Sequence, residues 1–222
     1  MGVAIQMYKF YCIFTLMARI IESCCGSIED VIHALRRGAD RIELCERLDV
    51  GGVTPSRELL EKTLVKVGGD IPVNVLVRPR EGDFVYSDRE ADEMLRSIHL
   101  CKALGVSGVV IGALLSDGSV DMALMRTLIA AARPMSVTFH RAFDVCRAPF
   151  EAFEQIILLG CDRLLTSGHC DTAPEGAELI AELVCRSQGR IKVMAGSGVR
   201  KDNLDRLESI THAPEFHGTH IL

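Results

Sequence analysis

No Cys-x-x-Cys pair occurs in the 222 residues, although nine cysteines are scattered from Cys12 to Cys185. The chain therefore has no close-spaced metal-ligand motif. An odd number of thiols, in a chain large enough to need no disulfide staples, points to a reducing compartment, the cytoplasm. Most of these cysteines read as small apolar core residues. No basic stripe is present and the formal net charge is −5, which excludes nucleic acid as a partner. No apolar run is long enough to cross a bilayer. The longest near the start, residues 10–18, is too short, and no small-residue cleavage site follows it. The opening Met1-Gly2 lacks the Ser or Thr expected for myristoylation, so no membrane partner is expected. Residues 1–17 are expected to be an extension upstream of a single domain over 18–222.

The chain does have apolar content, 48%, enough to build a sizeable core. Short β-like runs alternate with helical patterns, the sign of βα units and a parallel sheet. Strands are predicted at 19–24, 41–45, 73–78, 108–111, 136–140, 163–166, 191–194 and 215–218. Helices are predicted after Ser27, a plausible N-cap, and at 57–67, 88–104, 122–132, 150–159, 175–186 and 203–209. Gly38 is well placed to end the first helix. Eight strands in about this length fit a closed (β/α)8 TIM barrel better than an open doubly wound sheet. Only Thr219 to Leu222 follow the last strand, so an eighth helix is not expected. The groove outside strands 8 and 1 would then be open, filled by a partner, or covered by the apolar leader.

In such a barrel the functional face lies at the C-terminal ends of the strands. Strands 1 and 2 end in Glu22-Ser23-Cys24 and Glu43-Leu44-Cys45, and alternation puts each Glu and its Cys on one strand face. Cys25 should point the other way. Arg78 and Arg80 follow strand 3, and His140, Arg141 and Asp144 follow strand 5. Thr166, Ser167 and His169 follow strand 6, while strand 8 carries His217. Each residue also has a plain structural reading. Glu43 fits a buried ion pair, His140 a hydrogen-bonded core histidine, and Arg41 a strand-entry residue at the opposite end. Arg36, Arg37, Glu58 and Lys62 read as a solvated face. Taken together, carboxylates, arginines and a histidine converging on one end read as a polar pocket, because burying so many charges is costly unless they pair or bind a ligand.

Two chemistries suit that pocket. In the first, it is an enzyme site for a small anionic or phosphorylated metabolite. Arg78, Arg80, Arg141, Asp144, Thr166 and Ser167 would hold the substrate. Gly196, Ser197, Gly198 and Gly218 would seat a phosphate, and His140, Glu43 and Glu22 would supply acid or base. The same glycines equally suit tight turns. In the second, Cys24 and Cys45 hold a soft metal at the ends of adjacent strands, and two thiolates suit Cu(I) better than a structural zinc, which usually takes four ligands.

Several collinear runs resemble the copper homeostasis protein family CutC. They include Gly38-Ala39-Asp40-Arg41-Ile42-Glu43-Leu44-Cys45, Gly51-Gly52-Val53-Thr54-Pro55-Ser56 and Arg78-Pro79-Arg80. Val137-Thr138-Phe139-His140-Arg141-Ala142-Phe143-Asp144, Met194-Ala195-Gly196-Ser197-Gly198-Val199 and Glu215-Phe216-His217-Gly218 extend the likeness. The resemblance implies a TIM barrel, a cytoplasmic location and a role in copper homeostasis. It also implies copper binding through the cysteines at Cys24 and Cys45, and self-association into a homo-oligomer. The leader has no counterpart in the family, and the family continues beyond strand 8.

Overall fold

Alternating strands and helices form in the order that the sequence implies. The strands are β1 (Ile20–Cys25), β2 (Arg41–Leu44), β3 (Val73–Leu76), β4 (Gly108–Ile111), β5 (Ser136–Phe139), β6 (Arg163–Thr166), β7 (Lys192–Gly196) and β8 (Glu215–Gly218). Each pairs in parallel with the next, and β8 pairs back onto β1 to close the barrel. The helices are α1 (Ile28–Arg37), α2 (Arg57–Val67), α3 (Asp88–Ala103), α4 (Met122–Ala132), α5 (Pro149–Leu158), α6 (Ala177–Ser187) and α7 (Leu204–Thr211). The structure is a computed structural model that describes residues 19–219, 221 and 222. The expected extension, residues 1–17, lies outside the described residues. No helix follows β8 among the described residues, and Ile221 is buried in the core.

Local chemistry sets the element ends. The Ser27 side chain accepts from the Asp30 N–H, and Gly38 ends α1. Ser87 and Glu90 form a reciprocal capping box at the start of α3. Sequence reading missed short 3-10 turns at Leu48–Val50 and Arg141–Val145, and isolated antiparallel bridges Glu46–Val53 and Leu114–Val120. These are built from single caps and loop closures, which leave no hydrophobic period to detect.

Strand alternation separates two interiors. Outward residues such as Ile42, Leu44, Val109, Phe139 and Phe216 pack with the helices in one continuous core. Large side chains there are fully buried, each contributing about 1.5–3 kcal/mol. Inward residues fill the barrel itself. Cys24, Cys45, Leu76 and Val110 form a small separate apolar cluster.

The start of the barrel bore is charged. Arg41 opens β2, as a strand-entry residue, and is buried there. It donates from Nε to Glu22 and from Nη2 to Glu215. Arg163 Nε donates to Glu215 at 2.8 Å and Asn74 Nδ2 to Glu22 at 3.2 Å. These partners compensate charges that would otherwise be prohibitive to bury.

Candidate functional site

A cavity of about 420 Å³ opens at the C-terminal ends of the strands. Its lining includes Cys24, Glu43, Arg78, Phe84, His140 and His217, joined by Arg141, Ser197, Gly198 and Gly218. Glu22, Cys45, Arg80, Asp144, Thr166, Ser167 and Gly196 do not line it. The sequence-predicted set is therefore divided between the cavity and its supports.

On the β1–β2 side the two thiols meet. Cys24 Sγ and Cys45 Sγ lie 3.8 Å apart, and Cys24 Sγ lies 3.8 Å from Glu43 Oε1. Gly52, at φ +86°, closes the following loop over Cys45, where a Cβ would lie 2.8 Å from Leu76 Cδ2 and 3.4 Å from Cys45 Sγ. Cys25 sits in the outer core instead. His217, from β8, completes a buried group in which the ligand atoms of Cys24, Glu43 and His217 all lie within 4.8 Å of one another. Sequence reading placed His217 at this end but gave it no role. The signal was a histidine at an inward position of the last strand, beside β1 on closure.

The electrostatics follow from burial and neighbours. Hydrogen bonding to Cys45, then burial, pushes the Cys24 thiol well above its usual range. Burial raises Glu43 to about 7. Burial also pulls His217 down, but the Glu43 charge and the hydrogen bond to Glu22 outweigh it and leave the imidazole raised. Glu22 Oε1 lies 2.9 Å from His217 Nδ1. Despite its burial, that contact and the Arg41 charge hold Glu22 at about 2. An ionised Glu22 accepts the Nδ1–H, so that in the neutral ring the lone pair lies on His217 Nε2. This is the carboxylate–histidine arrangement that orients a metal ligand. Glu22 thus lies beneath the cavity as a support.

The donor set fits a soft metal ion. The 3.8 Å between sulfurs is less than twice a metal–thiolate bond of about 2.3 Å, so one ion can reach both and admit a third donor. Glu43 Oε2 is buried without a partner beside them.

The β3–β6 side is organised differently. Arg80 turns away from the cavity to Asp83 and Glu90. Asp144 accepts from Arg141 Nε at 2.8 Å, Ser167 Oγ at 2.9 Å, the Ser167 N–H and the Thr166 hydroxyl. It pins the loop after β6 to the turn after β5. Asp144→Ala is expected to lower stability by roughly 1–3 kcal/mol in chemical denaturation, since it orphans several buried donors.

Fold and site together define a closed eight-stranded parallel barrel of the TIM type with a buried thiol–carboxylate–imidazole group at the C-terminal ends of its strands. The chain belongs to the CutC family, whose model matches residues 19–222. A CutC family protein of Parabacteroides distasonis is 53% identical over 201 residues, covering 90% of this chain and 82% of that one. The human copper homeostasis protein cutC homolog is 48% identical over 198 residues, covering 89% of this chain and 72% of that one. The crystal structure of a CutC protein from Streptococcus agalactiae superposes with a TM-score of 0.88 at 31% identity, covering 92% of this chain and 100% of that one.

Proposed function

We propose that the protein serves copper homeostasis by binding copper as Cu(I) through Cys24 and Cys45, with His217 as a third donor. The observation that carries this reading is the buried pair of free thiols 3.8 Å apart at the strand ends, beside an oriented imidazole. Soft thiolates favour Cu(I) or zinc, and two thiolates without a full set of four ligands suit Cu(I) better. The curated human relative is named for copper homeostasis. Cysteines from Cys24 to Cys185 are all free, which fits a reducing cytoplasm, and no described helix is long and apolar enough to cross a membrane. Self-association, which the family resemblance implies, belongs to the same reading.

The test is an anaerobic Cu(I) titration against a competing chelator, with a parallel zinc arm. Tight one-to-one Cu(I) binding is expected in the native chain. The Cys24→Ser/Cys45→Ser double variant is expected to lose it, and His217→Ala to weaken it. Copper binding that persists in the double variant would overturn the assignment, and tighter zinc binding at the same residues would reassign the metal.

A further inference from the structure

The β3–β5 side of the cavity presents hydrogen-bond donors and positive charge without matching acceptors. His140 follows β5 and is 4% exposed. Its Nδ1 accepts from the Ala142 N–H at 3.2 Å, so the neutral ring carries its proton on Nε2. That Nε2–H is buried and has no partner among the described residues. The ring is held against Gly112, where a Cβ would lie 2.6 Å from Nδ1 and Cε1, and it rests 4.9 Å from the Phe84 ring. Any side chain at position 112 would push it from this place.

Arg78 stacks on the same Phe84 ring, its guanidinium carbon 4.9 Å from the ring centroid. Its Nη1 donates to the carbonyls of Val50 and Gly52, and its Nη2 to that of Gly82. These contacts tie the loops after β2 and β3 to the barrel. They do not neutralise the charge, and no carboxylate pairs with Arg78 among the described residues. A buried cation without a counter-charge beside a buried N–H without an acceptor is an incomplete arrangement. An anion bound in the cavity that both residues line would answer both.

The rest of the cavity limits what that anion is. Leu76 and Leu165 give it apolar walls, and its volume falls in the range of small-molecule sites. Arg200, another lining residue, has no carboxylate partner among the described residues.

We propose that this side of the cavity is a binding site for a small organic oxyanion, a short carboxylate or phosphate ester, held by His140 Nε2–H and the Arg78 charge. The site is separate from the thiol pair in residues and in chemistry. His140 acts in it as a neutral donor, because its Nδ1 lone pair is engaged by the backbone. Of the acid and base roles read for it from sequence, the donor role is the one this tautomer offers at Nε2.

The test uses the full chain with 15N-labelled histidine and two probes, pyruvate and glycerol 3-phosphate, with chloride as control. Saturable one-to-one binding of at least one probe is expected by calorimetry, with a shift of the His140 Nε2 resonance. Pyruvate alone would identify a carboxylate site, glycerol 3-phosphate alone a phosphate site. His140→Phe, which keeps a buried ring and removes the donor, is expected to weaken binding by roughly tenfold or more. His140→Gln, which restores a donor, is expected to recover part of it. Cu(I) binding should be unchanged in both variants, so failure here and failure of the copper reading are distinguishable. No saturable binding of either probe would overturn the proposal. So would binding that leaves the Nε2 resonance unmoved, or that is equal in His140→Phe.

Discussion

Replacing Arg41 with methionine is expected to destabilise the barrel by on the order of 3–5 kcal/mol. The methionine keeps most of the length and volume, so the loss is not mainly one of packing. Arg41 bridges Glu22 and Glu215, which are 0% and 1% exposed at their side chains. Without it, Glu22 retains Asn74 and His217, and Glu215 retains Arg163 and Lys192. The bore would then hold two carboxylates with the central cation removed. Urea denaturation of the native chain and the variant measures the difference. A triple variant, Arg41→Met/Glu22→Gln/Glu215→Gln, is expected to recover part of the loss: it removes the two carboxylates that lose their shared cation, but leaves Arg163 and Lys192 without Glu215. A loss under about 1 kcal/mol, the scale of a surface pair, would show that water reaches this network.

That network also explains what could and could not be read in the sequence. The eight strands were legible because their outward residues must be apolar, giving short runs such as Gly108-Val109-Val110-Ile111 between helical periods. The paired thiols were legible because period-two alternation carries Glu22 and Cys24, or Glu43 and Cys45, to one face. The partners of those residues were hidden by distance along the chain. Glu22 and His217 are 195 positions apart, and Arg41 and Glu215 are 174 apart. Nothing local marks either pair, and only closure of β8 onto β1 brings them together. Arg78 and Arg80 looked alike as two cations after one strand. The structure divides them, since Arg80 finds Asp83 and Glu90 nearby while Arg78 donates to carbonyls and, among the described residues, meets no carboxylate. Side-chain identity announced the charge, but the loop path decided which charge was left uncompensated.

His140 should make the native chain more sensitive to acid than a variant without it. Burial, reinforced by the Arg78 charge, depresses its folded-state pKa to about 3, against 6.5 in an unfolded chain. Between those values the unfolded chain takes up a proton that the folded chain refuses. Stability therefore rises with pH across this window. The contribution is fully present above about 6.5 and is lost as pH falls toward 3, at up to roughly 1.4 kcal/mol per pH unit. In His140→Phe this dependence disappears, whatever the substitution does to stability at neutral pH. The measurement is urea denaturation of both chains at pH 7 and pH 4.5, read as the difference of the two differences. A gap of on the order of 2–3 kcal/mol, with the native chain losing more, is expected. Parallel losses would mean that His140 takes a proton in the folded barrel at ordinary pH. Saturating oxyanion probe should narrow the gap, because a negative charge at Nε2 favours the protonated ring and raises its folded pKa. Acid sensitivity and ligand binding would then report on the same nitrogen by independent routes.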